Sequence, residues 1–149
     1  MKHIKKINEL RTSDLITHDP LLEIARINDP KRFVYDVFVY GDSSYGSGRS
    51  EHGKPHFHYV DKIKGGNWHF SVFIPMVEGW IQNKEVYIYE TSNGDYNWTG
   101  FKKEKKMLID WLDETNSFDA DKTNLEFIRL QWNVLNIDNK NVSQIKRIK

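Results

Sequence analysis

Residues 50 to 60, SEHGKPHFHYV, place His52, His56 and His58, three of the chain's six histidines, within seven positions. Imidazole is the one side chain whose ordinary charge change falls between about pH 5 and 8, and its neutral nitrogens are common metal ligands. The spacing admits three kinds of chemistry. In the first, His52, His56 and His58 are ligands of a divalent transition metal such as zinc, with Glu51 or Asp61 as carboxylate support and an open position for water if the ion hydrolyses a substrate. In the second, no metal is involved: His56 and His58 divide the roles of acid and base, and Lys62, Lys54 or Arg49 steadies a phosphate, as cleavage of RNA would require. In the third, the histidines are polar residues of a strand and shape a loop for a partner, with no reaction of their own.

The elements that must position these side chains are two strands. PHFHYVDK (55–62) and NWHFSVFI (67–74) flank Gly65 and Gly66, the best hairpin signal in the chain. Successive strand residues point to opposite faces, so His56, His58, Val60 and Lys62 share one face, and Phe57 and Tyr59 the other. A turn centred on the two glycines adds Trp68, Phe70, Val72 and Ile74 to the Phe57 side, which is therefore the core. His69, Ser71 and Phe73 join the histidine side, an open face roofed by the Gly- and Ser-rich loop at 41–53. His56 and His58 then have Cβ atoms about 6.5 to 7 Å apart, near enough for both rings to reach one ion. His69 falls opposite Lys62, roughly 13 Å along the strand from His58, too far to share that ion.

Around the hairpin, RFVYDVFVY (32–40) is rich in aromatic and β-branched residues and predicts a buried strand, and EVYIYET (85–91) a fourth. Apart from that fourth strand, residues 41–51 and 75–98 look like enlarged loops. From Gly100 the period changes: Phe101, Leu108, Trp111 and Leu112 form one helical stripe, with the KKEKK lysines (102–106) on the solvated side. Thr123 and Glu126 have capping-box spacing ahead of a second helix with the stripe Leu125, Ile128, Trp132 and Leu135. Trp111 and Trp132 sit in register with leucines and read as core rather than as stacking platforms for bases. Residues 1–31 form an accessory arm in which LLEIARI (21–27), between Pro20 and Pro30, has the composition of a short helix. The polar tail, 137–149, is expected to fray.

Bulk properties exclude more than they assign. With 149 residues, 38% of them hydrophobic, the chain fits one domain that buries about 68 to 70% of its unfolded surface. A net charge of +1 gives no global field toward nucleic acid or a lipid surface, and any such contact would be local. The lack of cysteine removes disulfides and thiolate chemistry and agrees with a reducing, cytoplasmic setting. No secretory signal and no membrane-spanning run of about 20 apolar residues is visible. The loop at 41–48 lacks the Gly-Lys-Ser/Thr ending of a phosphate-cradling loop.

His52, Pro55, His56 and His58, in HGKPHFHY, resemble the His-x-Pro-Pro-His-x-His-Val hallmark of a family of small bacterial proteins, domain of unknown function 4160; here Lys54 stands for the first Pro and Tyr59 for the Val. The likeness runs over about 32–136 and includes the aromatic strand, Gly100-Phe101 at a helix start and Trp132 in a last helix. It implies a small cytosolic protein of bacterial or phage origin, similar to members encoded beside a small partner in gene pairs of toxin and antitoxin type. It brings no established reaction.

The expectation is one α+β domain: an antiparallel sheet of about four strands with two C-terminal helices packed on one face. The expected function is that of an interaction module with a protein partner, nucleic acid or a second copy as further possibilities; a metal-binding protein or hydrolase and a metal-free ribonuclease-like enzyme are the alternatives.

Overall fold

The computed structural model describes residues 18–19, 24–29, 33, 35–41, 54–61, 68–91, 97–137, 139 and 142–149. The fold is α+β. Among the described residues six strands form one antiparallel sheet in sequence order: β1 (His18–Asp19), β2 (Ile24–Arg26), β3 (Asp36–Tyr40), β4 (His56–Asp61), β5 (Trp68–Phe73) and β6 (Ile88–Thr91). Helix α1 (Val77–Asn83) lies between β5 and β6, and α2 (Lys102–Leu112) and α3 (Asn124–Leu135) follow.

Strands β3, β4, β5 and β6 are the four read from the sequence. Alternation sorts them as expected: Val37, Val39, Phe57, Tyr59, Phe70, Val72 and Ile88 are buried on one face. On that face Phe33 stacks on Trp111 of α2 at 4.8 Å, Phe70 meets Trp98 and Phe101, and the Tyr59 hydroxyl donates to the Glu104 carbonyl of α2 at 3.0 Å. Helix α3 packs along β3 and reaches the end of the central strands. Asn136 donates there to the Tyr40 carbonyl and Arg129 to the Pro75 carbonyl. Every member of both helical stripes is buried, and the Thr123–Glu126 capping box forms.

Three features differ from the expectation. LLEIARI does not yield the short helix: its Ile24–Arg26 portion is β2, paired with Phe38–Tyr40. Nine residues between prolines leave little room for helical hydrogen bonds, whereas the β3 edge offers a ready ladder. Arg26 also ion-pairs with Asp36 and lies over the Phe38 ring, so the arm's last part belongs to the sheet. Within the 75–84 segment, α1 buries Val77 and Trp80, and Trp80 Nε1 donates to Asp113 at the end of α2. The described part of the tail, 142–149, is docked instead of frayed: Ile145 is buried, Asn133 exchanges two hydrogen bonds of 2.7 Å with its backbone, and Trp132 Nε1 donates to the Ser143 carbonyl. Apolar Val142, Ile145 and Ile148, three apart among charged residues, make that docking worthwhile. The Gly65–Gly66 turn, the 42–53 part of the roofing loop and the Asn93–Gly94 turn lie outside the described residues.

Asn116 holds the α2–α3 connection to the sheet, its amide donating to the Ile27 carbonyl and to Asn124 Oδ1 while its oxygen accepts from the Phe118 and Asp119 N–H groups. Asn116→Ala strands these buried groups and is expected to cost about 2 to 3 kcal/mol in urea unfolding, against about 1 kcal/mol for loss of the helix cap in Thr123→Ala. Equal costs would contradict the hub role.

Candidate functional site

Parity placed His56, His58, His69 and Ser71 on one face, and they are found there. The register is what differs. His56 pairs with Phe73, His58 with Ser71 and Val60 with His69, so β5 is shifted by one residue pair from a turn centred on Gly65–Gly66. A shift by a pair leaves every side chain on its face but brings His69 to the diagonal neighbour of His58. The estimate of roughly 13 Å is thereby overturned: His58 Nδ1 and His69 Nε2 are 2.8 Å apart, one of them donating to the other.

The cluster is built as a stack of rings. His56 and His58 have centroids 5.2 Å apart, and His58 and His69 5.0 Å, each pair edge to face. Tyr40, directly across from His56 on β3 by extension of that pairing, packs on His58 at 4.3 Å. Tyr89 reaches His56 at 4.8 Å because β6 carries a bulge: one step on β5, from Ser71 to Val72, spans two on β6, from Glu90 to Ile88. Trp132 of α3 closes the end of the stack, 5.5 Å from His56. Sequence alternation on the β3 strand was the available signal for Tyr40; nothing in the sequence marks the bulge that aims Tyr89.

The expected open face is therefore corrected. His56 is 2% exposed, His58 6% and Ser71 4%, and only His69 is half-buried. His56 Nδ1 donates to the Lys54 carbonyl at 2.8 Å, and the Ser71 hydroxyl lies 3.4 Å from His58 Nδ1. Burial pushes the His58 imidazole well below its ordinary value, and the neighbouring His56 and His69 push it further the same way. His69 is lowered by burial, opposed in part by the Glu90 carboxylate. Both are thus neutral at pH 7, able to pass a proton between them but not to serve as a standing cation.

Of the other residues singled out by sequence, His52, Glu51, Arg49 and Lys62 lie outside the described residues, and Asp61 is described only as the backbone partner of Trp68. Lys54 is exposed. Among the described residues no three histidine or carboxylate groups converge as metal ligands. No described helix is long and apolar enough to cross a membrane.

Because the fold keeps His58 and His69 neutral, the unfolded chain binds protons more readily once pH falls below the ordinary histidine value of about 6.5. Their contribution to stability is complete above that value and is lost as pH drops through and below it, by at most about 1.4 kcal/mol per pH unit for each ring. Urea midpoints measured from about pH 8 to about pH 5.5, above the carboxylate range, should fall on the acid side for the parent and fall less for His58→Gln. A midpoint independent of pH would show that neither ring is held neutral. Compared with protein-family models, curated proteins and solved structures, the chain finds no match.

Proposed function

We propose that this protein is a small interaction module whose histidine cluster is an internal structural element and whose working surface is the β6 end of the sheet. The observation that carries the reading is burial. His56, His58 and Ser71, at 2%, 6% and 4% exposure, are closed in by Tyr40, Tyr89 and Trp132, so a polymer substrate has little access to them. Large apolar side chains are instead exposed elsewhere: Ile81 on α1 at 70% and Tyr87, just ahead of β6, at 64%. Strand β6 is the last in the sheet order among the described residues, with exposed Tyr87 directly ahead of it, and an edge strand next to an exposed aromatic is a recurrent docking surface for a protein partner. The resemblance to domain of unknown function 4160 supports a partner encoded beside it in a bacterial or phage gene pair of toxin and antitoxin type, with both proteins in the cytoplasm. A second copy of the chain would use the same edge.

A second reading is favoured by one contact. The 2.8 Å His58–His69 pair, with His69 half-buried, is an acid and base couple in geometry and would serve metal-free cleavage of RNA if a phosphate could approach His69.

The two are separated by co-expressing the protein with its neighbour-encoded partner and following the mixture by sedimentation velocity. The module reading expects a stable complex, or a dimer of this chain, that weakens by at least about tenfold in an Ile81→Asp, Tyr87→Asp double variant and is unchanged in His69→Gln. RNA cleavage that persists in excess chelator and disappears in His69→Gln, with no complex formed, would overturn it in favour of the second.

A further inference from the structure

Residues 142–149 turn back along α3, as the order of their contacts shows: the Ser143 carbonyl accepts from Trp132, the Ile145 carbonyl from Asn133 and the Ile148 carbonyl from Arg129. The return bonds run from the Ile145 N–H to Asn133 Oδ1 and from Gln144 Nε2 to the Asn136 carbonyl. A side chain takes part in every one of these joints. Val142 lies in a β-bridge, but among the described residues no backbone-to-backbone bond joins 143–149 to a strand or helix. Within that stretch Ile145 alone is buried and Ile148 half-buried, and the exposed Arg147–Glu78 ion pair adds little.

Seven ordered residues held by one buried side chain and a few such bonds form a unit that opens by itself at less cost than the whole fold, because opening restores their conformational freedom. The docked state also carries a cost of its own. Arg129, 3% exposed, bonds the Ile148 carbonyl through Nη1, while Nη2 of the same guanidinium is buried with no hydrogen-bond partner among the described residues. A stranded donor of this kind is relieved when water reaches it.

The segment covers one end of the histidine cluster. A cleft of about 490 Å³ separates Ser143–Arg147 from Lys54 and Phe73, and His56 does not line it. Both of those residues are neighbours of His56: the Lys54 carbonyl accepts from its Nδ1, and Phe73 stands across from it on β5. Trp132, 5.5 Å from His56, is held in place by the Ser143 carbonyl. We infer that residues 143–149 are a strap that lifts from α3 as a unit while the sheet and helices stay folded, and that its lifting admits small solutes to the His56 end of the cluster. Strap opening needs no partner at the β6 edge, so either can fail without the other.

Native-state hydrogen exchange on the full chain, across low urea concentrations, reads the opening. The strap probes are the Ile145 amide and the Trp132 indole N–H, the second fully buried; the fold probes are the Ile27 and Asn124 amides, bonded to the Val37 and Glu114 carbonyls. Corrected for intrinsic rates, both strap probes should exchange at least about hundredfold faster than the fold probes and with a much shallower dependence on urea. Leu108→Ala, in the core beneath α2, should speed the fold probes by at least about tenfold and leave the strap probes as they were. Carbethoxylation of His56 by diethyl pyrocarbonate, located by peptide mapping, should follow the shallow urea dependence of the Trp132 indole. One steep dependence shared by all four probes, a fast Ile145 amide beside a protected Trp132 indole, or strap probes accelerated by Leu108→Ala would overturn the strap. His56 modification that follows Ile27 instead would overturn its control of access.

Discussion

Pairing of β4 with β5, His56 against Phe73 through Asp61 against Trp68, is the constraint on which the rest of the molecule depends. It acts at two levels. A slip of β5 by one residue would turn Phe70 and Val72 out of the core and bring His69 and Ser71 onto the core face, a penalty of about 1.5 to 3 kcal/mol for each large apolar side chain exposed. A slip by two would keep those faces and leave the hydrophobic pattern satisfied. Only contacts specific to a residue pair can oppose it, and the His58–His69 hydrogen bond is one.

Closure of the helices over the sheet rests on a different device, asparagine side chains spent on main-chain groups where elements end. Asn28 donates to the Phe33 and Tyr35 carbonyls and accepts from Val37, fixing the approach to β3. Asn116 and Asn124 join the α2–α3 connection to Ile27 and Trp111, and Asn136 joins α3 to Tyr40 while its own carbonyl accepts from Gln144. All four are buried. A short amide can satisfy a donor and an acceptor at once, so these joints bury polar backbone without stranding it, as interiors require.

What could be read from sequence followed from periodicity, and what could not followed from chain geometry between periodic segments. Alternation of period two fixed which side Phe57 and His58 face, and the 3.6-residue period found both helical stripes, because burial of a continuous apolar surface enforces each period over many residues. The His58–His69 contact escaped, since it turns on the number of residues in one turn, and two glycines are compatible with more than one turn length. Strand β2 and helix α1 were missed for a related reason: three and seven residues are too short for either period to declare itself, and tertiary pairing decided them. The tail was misread from its charge, although Val142, Ile145 and Ile148 carry the spacing that docks it.

Why imidazoles occupy this buried face, rather than the valines and phenylalanines of the other, follows from the same two-level constraint. A neutral imidazole packs as a flat ring, and His56 and His58 do so against Tyr40, Tyr89 and Trp132, so little apolar packing is forgone. It also carries nitrogens that must be matched. In the native register Nδ1 of His58 meets His69 and Nδ1 of His56 meets the Lys54 carbonyl. Displacing β5 by a residue pair so that Phe73 stands opposite His58 would bury the first of these with its partner withdrawn, at about 1 to 3 kcal/mol for the stranded group, whereas a phenylalanine at position 58 would not oppose that shift. Polar groups that are satisfied in one pairing and stranded in the next discriminate between pairings that apolar residues treat alike. The His58 and His56 Nδ1 contacts thereby help to set the register of the sheet that carries them.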